Sequence, residues 1–218
     1  MIILKKREIL KLITILKNTY PEAKCSLDFT TPFELVVAVM LSAQCTDARV
    51  NLTTPTLFAK CKTISDFANM DISELEDIVH PCGFYKNKAK NIKLCAKQVL
   101  EKHNGIVPNN MEDLINLAGI GRKSANVILT DAFNIPIGIA VDTHVKRISN
   151  LIGLSKEIDP EKIEKDLLKL FPKAFLLDAN HLLVWHGRYT CIARKPNCDM
   201  CTIQSYCSYY NSKKQNKI

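Results

Sequence analysis

Apolar residues recur at helical spacing along almost the whole chain, and this periodicity restricts the fold more than any other feature. One helix begins at Thr31-Pro32, an N-cap residue followed by a proline suited to the first turn. A short β-like run at 135–141 has no second run with which to pair. The pattern therefore predicts an all-α fold. An amphipathic helix is expected within residues 1–20. Further helices are expected at 47–60, 73–79, 86–102, 111–117, 123–133, 142–151, 160–170 and 174–187.

The charge balance favours a polyanionic partner. Lys and Arg total 30 against 22 Asp and Glu, a net charge of +8, and nucleic acid is the first polyanion to consider. A proteome that is basic throughout would give the same excess. No apolar run approaches the roughly 20 residues that span a bilayer, and the first helix lacks a signal peptide's apolar block. We expect no membrane partner, and a prokaryotic cytoplasmic, nucleoid-associated protein.

A Gly-Ile-Gly turn stands between two predicted helices at 119–121. Glycine permits the positive φ values of a tight reversal, and the N-terminus of the following helix presents N–H groups that bind anions. The segment is neither a P-loop nor a dinucleotide motif, because Arg122 separates Gly121 from Lys123 and a third glycine and a preceding strand are missing. Two interpretations remain: a plain helical hairpin, and a helix-hairpin-helix that grips a DNA phosphate.

Lys123 lies in the first turn of the helix that follows this hairpin, next to Arg122. The positive end of the helix dipole and the neighbouring cation both disfavour its charged form, and a neutral amine is a nucleophile that forms Schiff bases. A solvated lysine that binds phosphate is the alternative. Further along, Asp142 precedes another amphipathic helix. One expected role is that of a helix N-cap. The other is that of a catalytic carboxylate that transfers protons or stabilises a cationic sugar, and both roles can hold together.

Four of the nine cysteines crowd together near the C-terminus with the spacing C-x6-C-x2-C-x5-C. They are Cys191, Cys198, Cys201 and Cys207. The odd total and the missing secretory signal argue against a disulfide framework. Four thiolates this close can bind zinc or a [4Fe–4S] cube, and the spacing matches neither zinc-finger pairs nor the ferredoxin run. The loop between the first two carries Arg194 and Lys195, two cations suited to a phosphate backbone.

Together these residues resemble the endonuclease III family, the bifunctional DNA glycosylases and abasic-site lyases of base excision repair. The resemblance extends from about residue 4 to 207, nearly the whole chain. The cysteine spacing combined with the hairpin lysine and the downstream aspartate is highly specific. The motifs that carry it are LSAQCTD, GFYKNKAKNI, GIGRKSANV, AVDTH and HGRYTCIARKPNC.

The resemblance implies a two-lobed helix-hairpin-helix DNA glycosylase fold with the DNA groove between the lobes. A six-helix barrel domain is expected at 25–135, with the helix-hairpin-helix at about 111–133. A discontinuous domain, 1–24 and 136–218, is expected to hold one [4Fe–4S] cluster in the loop 191–207, which favours iron–sulfur over zinc. The implied partner is double-stranded DNA containing damaged bases or abasic sites, bound by a monomer.

The resemblance also implies a mechanism. An oxidised pyrimidine is flipped out of the base stack, and the Lys123 amine attacks C1′ and displaces the base, with Asp142 as the catalytic carboxylate. The resulting Schiff base undergoes β-elimination, which cuts the strand 3′ to the abasic site. Gln44 would fill the gap left by the base, and Phe84 would wedge the opposite strand or else belong to the core. The other expected DNA-binding residues are Gly119, Gly121, Arg122, Arg194 and Lys195.

Three positions depart from the expected pattern. Ala118 stands where many relatives have proline before the hairpin, so the entry to the turn should be less rigid. Cys45 stands where alanine is common, which is a small change. Pro55 should kink or interrupt the helix expected at 47–60.

Three other functions fit parts of the pattern. An adenine-mismatch glycosylase shares the cluster and the hairpin, but usually lacks the lysine and carries a catalytic Glu where Ala38 stands here. A mismatch-specific thymine glycosylase would differ mainly in the shape of its pocket. A non-catalytic iron–sulfur or zinc DNA-binding module would keep the basic loop and need neither Lys123 nor Asp142.

Overall fold

The computed structural model describes Leu4 and residues 6–215, and no strand occurs among them, which confirms the all-α class. Residues 1–3, 5 and 216–218, which belong to the expected discontinuous domain, lie outside the described residues. The helices are α1 Lys6–Thr19, α2 Pro32–Ser42, α3 Asp47–Lys60, α4 Ile64–Asn69, α5 Ile72–Val79, α6 Tyr85–Lys102, α7 Met111–Ile115, α8 Arg122–Phe133, α9 Thr143–Ile152, α10 Pro160–Leu170, α11 Leu176–Tyr189 and α12 Ser208–Gln215.

The chain divides into two compact units, and each has its own apolar core. The contiguous unit is Cys25–Ile135 and contains α2 to α8. The discontinuous unit combines Met1–Lys24 with Pro136–Ile218 and contains α1 and α9 to α12. The first unit carries the hairpin, and the second carries Asp142 and the cysteine cluster.

Helix α2 lies at the centre of the contiguous unit. Its residues 35–41 are all buried, so the helix is apolar on every side instead of on one face. The predicted start is confirmed, because the Thr31 hydroxyl accepts the N–H of Glu34 while the Glu34 carboxylate accepts the N–H of Thr31. This capping box satisfies N–H groups that the first helical turn leaves without partners.

Two local expectations for this unit were wrong or incomplete. Helix α3 continues through Pro55, because the buried Val50 and Leu57 hold both of its halves in the core. That packing outweighs the ~3 kcal/mol that an interior proline costs. Helix α4 was missed, because six residues are too few to show a period. Its capping box of Thr63 and Asp66 was a readable start signal.

The discontinuous unit packs α1 and α9 against α11. One face of α1 is fully buried, which confirms the predicted amphipathic helix. Gly187 on α11 permits a close approach to α9, because a Cβ there would lie 3.0 Å from the Cβ of His144. In the part of the chain that is described, no helix combines the length and apolar character needed to cross a bilayer.

Candidate functional site

The hairpin between α7 and α8 needs glycine at one of its two glycine positions. Gly119 has φ of 78°, and a Cβ there would lie 3.1 Å from the Cβ of Asn91 on α6. Gly121 is extended, with φ of −99°, and has open space around it. Ile120 between them is buried and anchors the turn in the core. Of the two hairpin glycines, Gly119 has the positive φ and Gly121 is the N-cap of α8.

Ala118 gives the hairpin a tether that proline could not provide. Its backbone N–H donates to Oε1 of Gln98 on α6 at 2.7 Å. Proline has no N–H and could not make this bond, so the bond depends on the alanine at position 118. The loss of rigidity expected at this position is offset by a contact between the hairpin and a neighbouring helix.

Lys123 is the second residue of α8. Its N-cap, Gly121, has no side chain with which to bind the first backbone N–H groups, and such groups at a helix N-terminus suit an anion. The side chains of Arg122 and Lys123 are both exposed at this end. The arrangement presents an amine beside an anion-binding helix terminus, which suits both a nucleophile and a phosphate contact.

Asp142 is the N-cap of α9, and this part of its expected role is confirmed. Its Oδ1 accepts the backbone N–H of Val145 at 2.7 Å, and the residue is half-buried. The bond fixes the direction of the carboxylate and engages one of its two oxygens. The position thus combines a structural bond with an oriented acidic group.

The four C-terminal cysteines surround one cavity in the discontinuous unit. None is in a disulfide, and apolar side chains such as Leu151, Ile152 and Ile203 complete the lining. The sulfurs that share this cavity are those of Cys191, Cys198, Cys201 and Cys207. The donor set is four soft thiols in an apolar setting, which fits an iron–sulfur centre.

Burial disfavours the thiolate form of three of these cysteines. It raises the pKa of Cys191 to about 11, with the nearby Cys207 acting in the same direction and Arg147 opposing it. Burial is also the largest cause of the raised pKa values of Cys201 and Cys207. Bound iron would supply the positive charge that stabilises the thiolates.

The number of thiols bears on the kind of centre, because four cysteines line the same cavity. A [4Fe–4S] cube takes one thiolate on each of its four irons and so spreads its ligands around a larger centre. The residues present fit such a cube.

A buried histidine beside the cluster was missed at the level of sequence. His186 Nε2 lies 3.8 Å from Cys201 Sγ, and its Nδ1 lies 3.0 Å from the hydroxyl of Tyr20. Burial, reinforced by Arg147, lowers the pKa of His186 to about 4, so the imidazole is neutral. A single histidine in a helix has no spacing signal, and its partners Tyr20 and Cys201 meet it only through tertiary packing.

The loop between the first two cysteines presents its cations to solvent. Arg194 and Lys195 are both exposed. The loop is closed at its base by the N–H of Asn197, which donates to the carbonyl of Thr190 at 2.9 Å. Arg147 fixes its start by donating to the carbonyl of Cys191 at 2.8 Å. The two cations therefore stand on a loop that is held at both ends.

Gln44 and Phe84 share two unusual properties. Their φ values are 54° and 48°, in the left-handed region that non-glycine residues rarely adopt. Both side chains are exposed, and Phe84 retains 64% of its accessible surface. Phe84 is therefore not a core residue, which removes one of the two interpretations of the sequence.

Comparisons with known proteins match most of the chain. Residues 37–173 match the model of HhH-GPD superfamily base excision DNA repair proteins, and residues 191–207 match that of the iron–sulfur binding domain of endonuclease III. The chain is 46% identical to endonuclease III of Synechocystis, over 93% of each chain. It is 41% identical to that of Escherichia coli K12, over 94% of this chain and 97% of the relative.

Solved structures show the same similarity. A trapped endonuclease III–DNA covalent intermediate superposes with a TM-score of 0.90 at 39% identity. The alignment covers 97% of this chain and 99% of that one. The similarity in structure thus extends over both units of the chain.

Proposed function

This chain belongs to the endonuclease III family of HhH-GPD base excision DNA repair proteins, and we propose that Lys123 is its nucleophile and Asp142 its catalytic carboxylate. The chain is a DNA glycosylase with associated abasic-site lyase activity, and it binds damaged DNA. It holds a single [4Fe–4S] cluster. The activity, partner and cofactor expected from the sequence are confirmed.

The observation that carries the assignment is the place of Lys123. It is an exposed residue in the first turn of α8, whose N-cap Gly121 has no side chain to bind the first N–H groups. A phosphate held by those N–H groups would bring the adjoining sugar within reach of the amine. The covalent intermediate trapped for a solved relative is consistent with a nucleophilic amine.

The proposed reaction begins on an oxidised pyrimidine that has been flipped from the stack. The nitrogen of Lys123 forms a bond to C1′ as the bond from C1′ to the base breaks, and the base leaves with those electrons and a proton. The sugar ring opens to a Schiff base. Loss of a proton from C2′ then expels the 3′ phosphate, and water releases the lysine. Asp142 is assigned to accept protons and to stabilise positive charge on the sugar.

The remaining site residues are assigned to DNA and to the cluster. Gly119 and Gly121 shape the hairpin, and Arg122 adds charge beside the phosphate it would hold. Gln44 would occupy the gap left by the flipped base, and Phe84 would wedge the opposite strand. The cluster would be held by Cys191, Cys198, Cys201 and Cys207, which would order the loop bearing Arg194 and Lys195.

We propose oxidised pyrimidines, and not mismatched bases, as the substrates of this protein. Ala38, at the position where an adenine-mismatch enzyme would carry its glutamate, is a fully buried core residue of α2. A mismatch-specific thymine glycosylase is the second candidate, because its distinction would lie in the pocket. A purely DNA-binding module accounts for neither Lys123 nor Asp142.

We also place the protein in the prokaryotic cytoplasm, at the nucleoid, as a monomer. The named relatives come from Synechocystis and Escherichia coli, both bacteria. The chain's net charge of +8 suits association with DNA.

Borohydride trapping tests the nucleophile. Reduction should link the wild-type protein covalently to a duplex containing an abasic site, and Lys123→Ala should abolish the link. Lys97→Ala, which removes an exposed lysine from α6, is the matched control and should trap normally. If Lys123→Ala traps as well as wild type, the assignment is wrong. Duplexes with an oxidised pyrimidine, a G·T or an A·G pair then rank the substrates.

A further inference from the structure

Gln44 and Phe84 are the two left-handed residues for which this conformation is least expected. The other two non-glycine residues with positive φ in the described part of the chain are Asn104 and Asn134, and asparagine tolerates this region well. Strained backbone persists only where its surroundings hold it, and it concentrates at functional sites. Something nearby must therefore hold these two segments in place.

The two strained segments follow the ends of helical elements in the contiguous unit. Gln44 lies in the turn between α2 and α3, two residues after Ser42 ends α2. Phe84 precedes α6 and follows the 3₁₀ turn His80–Cys82 and Gly83. The last carbonyl groups of such elements lack partners within the element, so both segments need an outside donor.

One side chain supplies both donors. Lys88 on α6 is only 6% exposed, which is unusual for a lysine. Its Nζ donates to the carbonyl of Leu41 at 2.8 Å and to the carbonyl of Cys82 at 2.9 Å. The carbonyl of Phe84 accepts the backbone N–H of Lys88 at 3.1 Å, a bond of the first turn of α6 that any residue at position 88 other than proline would make. The side chain of Lys88 thus links the last turn of α2 to Cys82, the residue before Gly83.

Two hydrogen bonds to carbonyl groups stabilise the buried amine of Lys88 in this position. Burial lowers the pKa of Lys88, and the nearby Cys45 and Cys82 partly oppose this effect. A buried ammonium is tolerated when its N–H groups are satisfied, and a cation at the C-terminal end of a helix also favours the dipole of α2. The lysine is therefore a stable link between the segments that carry Gln44 and Phe84.

We propose that Lys88 is a positioning residue that holds Gln44 and Phe84 at a fixed spacing, ready to enter the duplex around a flipped base. The inference rests on the DNA-binding roles proposed above for those two residues. If Gln44 and Phe84 are already held in position, their insertion into the base stack does not carry the entropic cost of ordering their segments. Lys88 would thereby assist the opening of the duplex and leave the chemistry at the sugar untouched.

The test compares two substrates in Lys88→Met, which removes the ammonium and keeps an apolar stem. Excision of a base-paired oxidised pyrimidine should fall about tenfold or more, a loss of roughly 1.4 kcal/mol in transition-state stabilisation. Borohydride trapping on a duplex with an abasic site should change by less than about threefold, because no base has to leave the stack. Equal losses on the two substrates, or no loss in a folded protein, would overturn the proposal.

Two further variants separate positioning from folding. Lys97→Met removes an exposed lysine from the same helix and should alter neither reaction. Lys88→Gln keeps one amide donor group and most of the side-chain volume, and it should show the same selective loss to a smaller extent. Thermal unfolding of each variant identifies any that fail to fold, and Lys88→Gln then carries the comparison alone.

A double-mutant cycle with Phe84→Ala shows whether Lys88 acts through Phe84. If it does, Phe84→Ala will reduce excision less in Lys88→Met than in wild type, because the wedge is already misplaced. Full additivity would contradict the proposed link. If the wild-type protein cannot be trapped on abasic DNA at all, the proposed function fails. If trapping succeeds and the substrate ratio is unchanged, only the inference about Lys88 fails.

Discussion

Asp142 has two tasks that a substitution can separate. Its Oδ1 caps α9 by accepting the N–H of Val145 at 2.7 Å, and the same carboxylate is proposed to take part in catalysis. Asparagine caps helices about as well as aspartate but cannot accept a proton as a carboxylate does. The residue therefore offers a clean distinction between structure and chemistry.

We expect Asp142→Asn to keep the midpoint of thermal unfolding close to that of wild type. Base excision should fall about a hundredfold or more, because a positioned proton acceptor has been removed. Asp142→Ala should show the same kinetic loss and lose about 1 kcal/mol of unfolding free energy as well. Single-turnover excision and thermal melts measure the two effects. Full activity in Asp142→Asn would leave the residue as a cap alone.

The residues that the sequence revealed were those whose signals are local. Gly121 and Lys123 are adjacent to a turn whose chemistry is readable, and the cysteines share one short segment. His186 and Lys88 could not be found in this way. Each is a single polar residue in a helix, and its role depends on partners that only the tertiary packing supplies.

At the scale of elements, predictions succeeded where the signal was local and failed where tertiary packing opposed it. The start of α2 could be predicted from Thr31 and Pro32. Helix α3 is not interrupted at Pro55, because burial of its two halves in the core outweighs the cost of the proline. The hairpin shows a third case, in which Gln98 on α6 supports the turn by accepting the N–H of Ala118.

Gln98→Leu should loosen the hairpin. The loss of the acceptor for the Ala118 N–H at 2.7 Å should lower the unfolding free energy by about 1 kcal/mol. Binding to an abasic duplex should weaken at the same time, because the phosphate grip is no longer fixed. Ala118→Pro removes the donor of the same bond, so the double variant should lose less than the sum of the two. Strict additivity of the unfolding energies would contradict the tether.

At the scale of the whole molecule, charge and composition indicated the partner class but not its place on the surface. The net charge of +8 favours DNA in general. The cations of the loop, Arg194 and Lys195, are assigned to phosphates because that loop is exposed and held at both ends. Their contribution is electrostatic and should not depend on base sequence.

Replacing both Arg194 and Lys195 by alanine should weaken binding to every duplex to a similar extent. The slope of log affinity against log salt should become shallower by about 0.9 for each phosphate that the loop no longer neutralises. Fluorescence anisotropy at several salt concentrations measures this slope. The control variant replaces Lys11 and Lys17 of α1 by alanine, which removes two positive charges from another part of the chain. If the slope changes equally in the control, the loop has no specific role in binding phosphates.

The assignment of Lys123 as the nucleophile is tested most directly by locating the covalent bond. The wild-type protein is reduced with borohydride on an abasic duplex, digested, and its peptides are sequenced by mass spectrometry. We expect the deoxyribose remnant on Nζ of Lys123, in the peptide that begins the helix after the hairpin. A remnant on any other lysine, or on the N-terminal amine, would contradict this assignment.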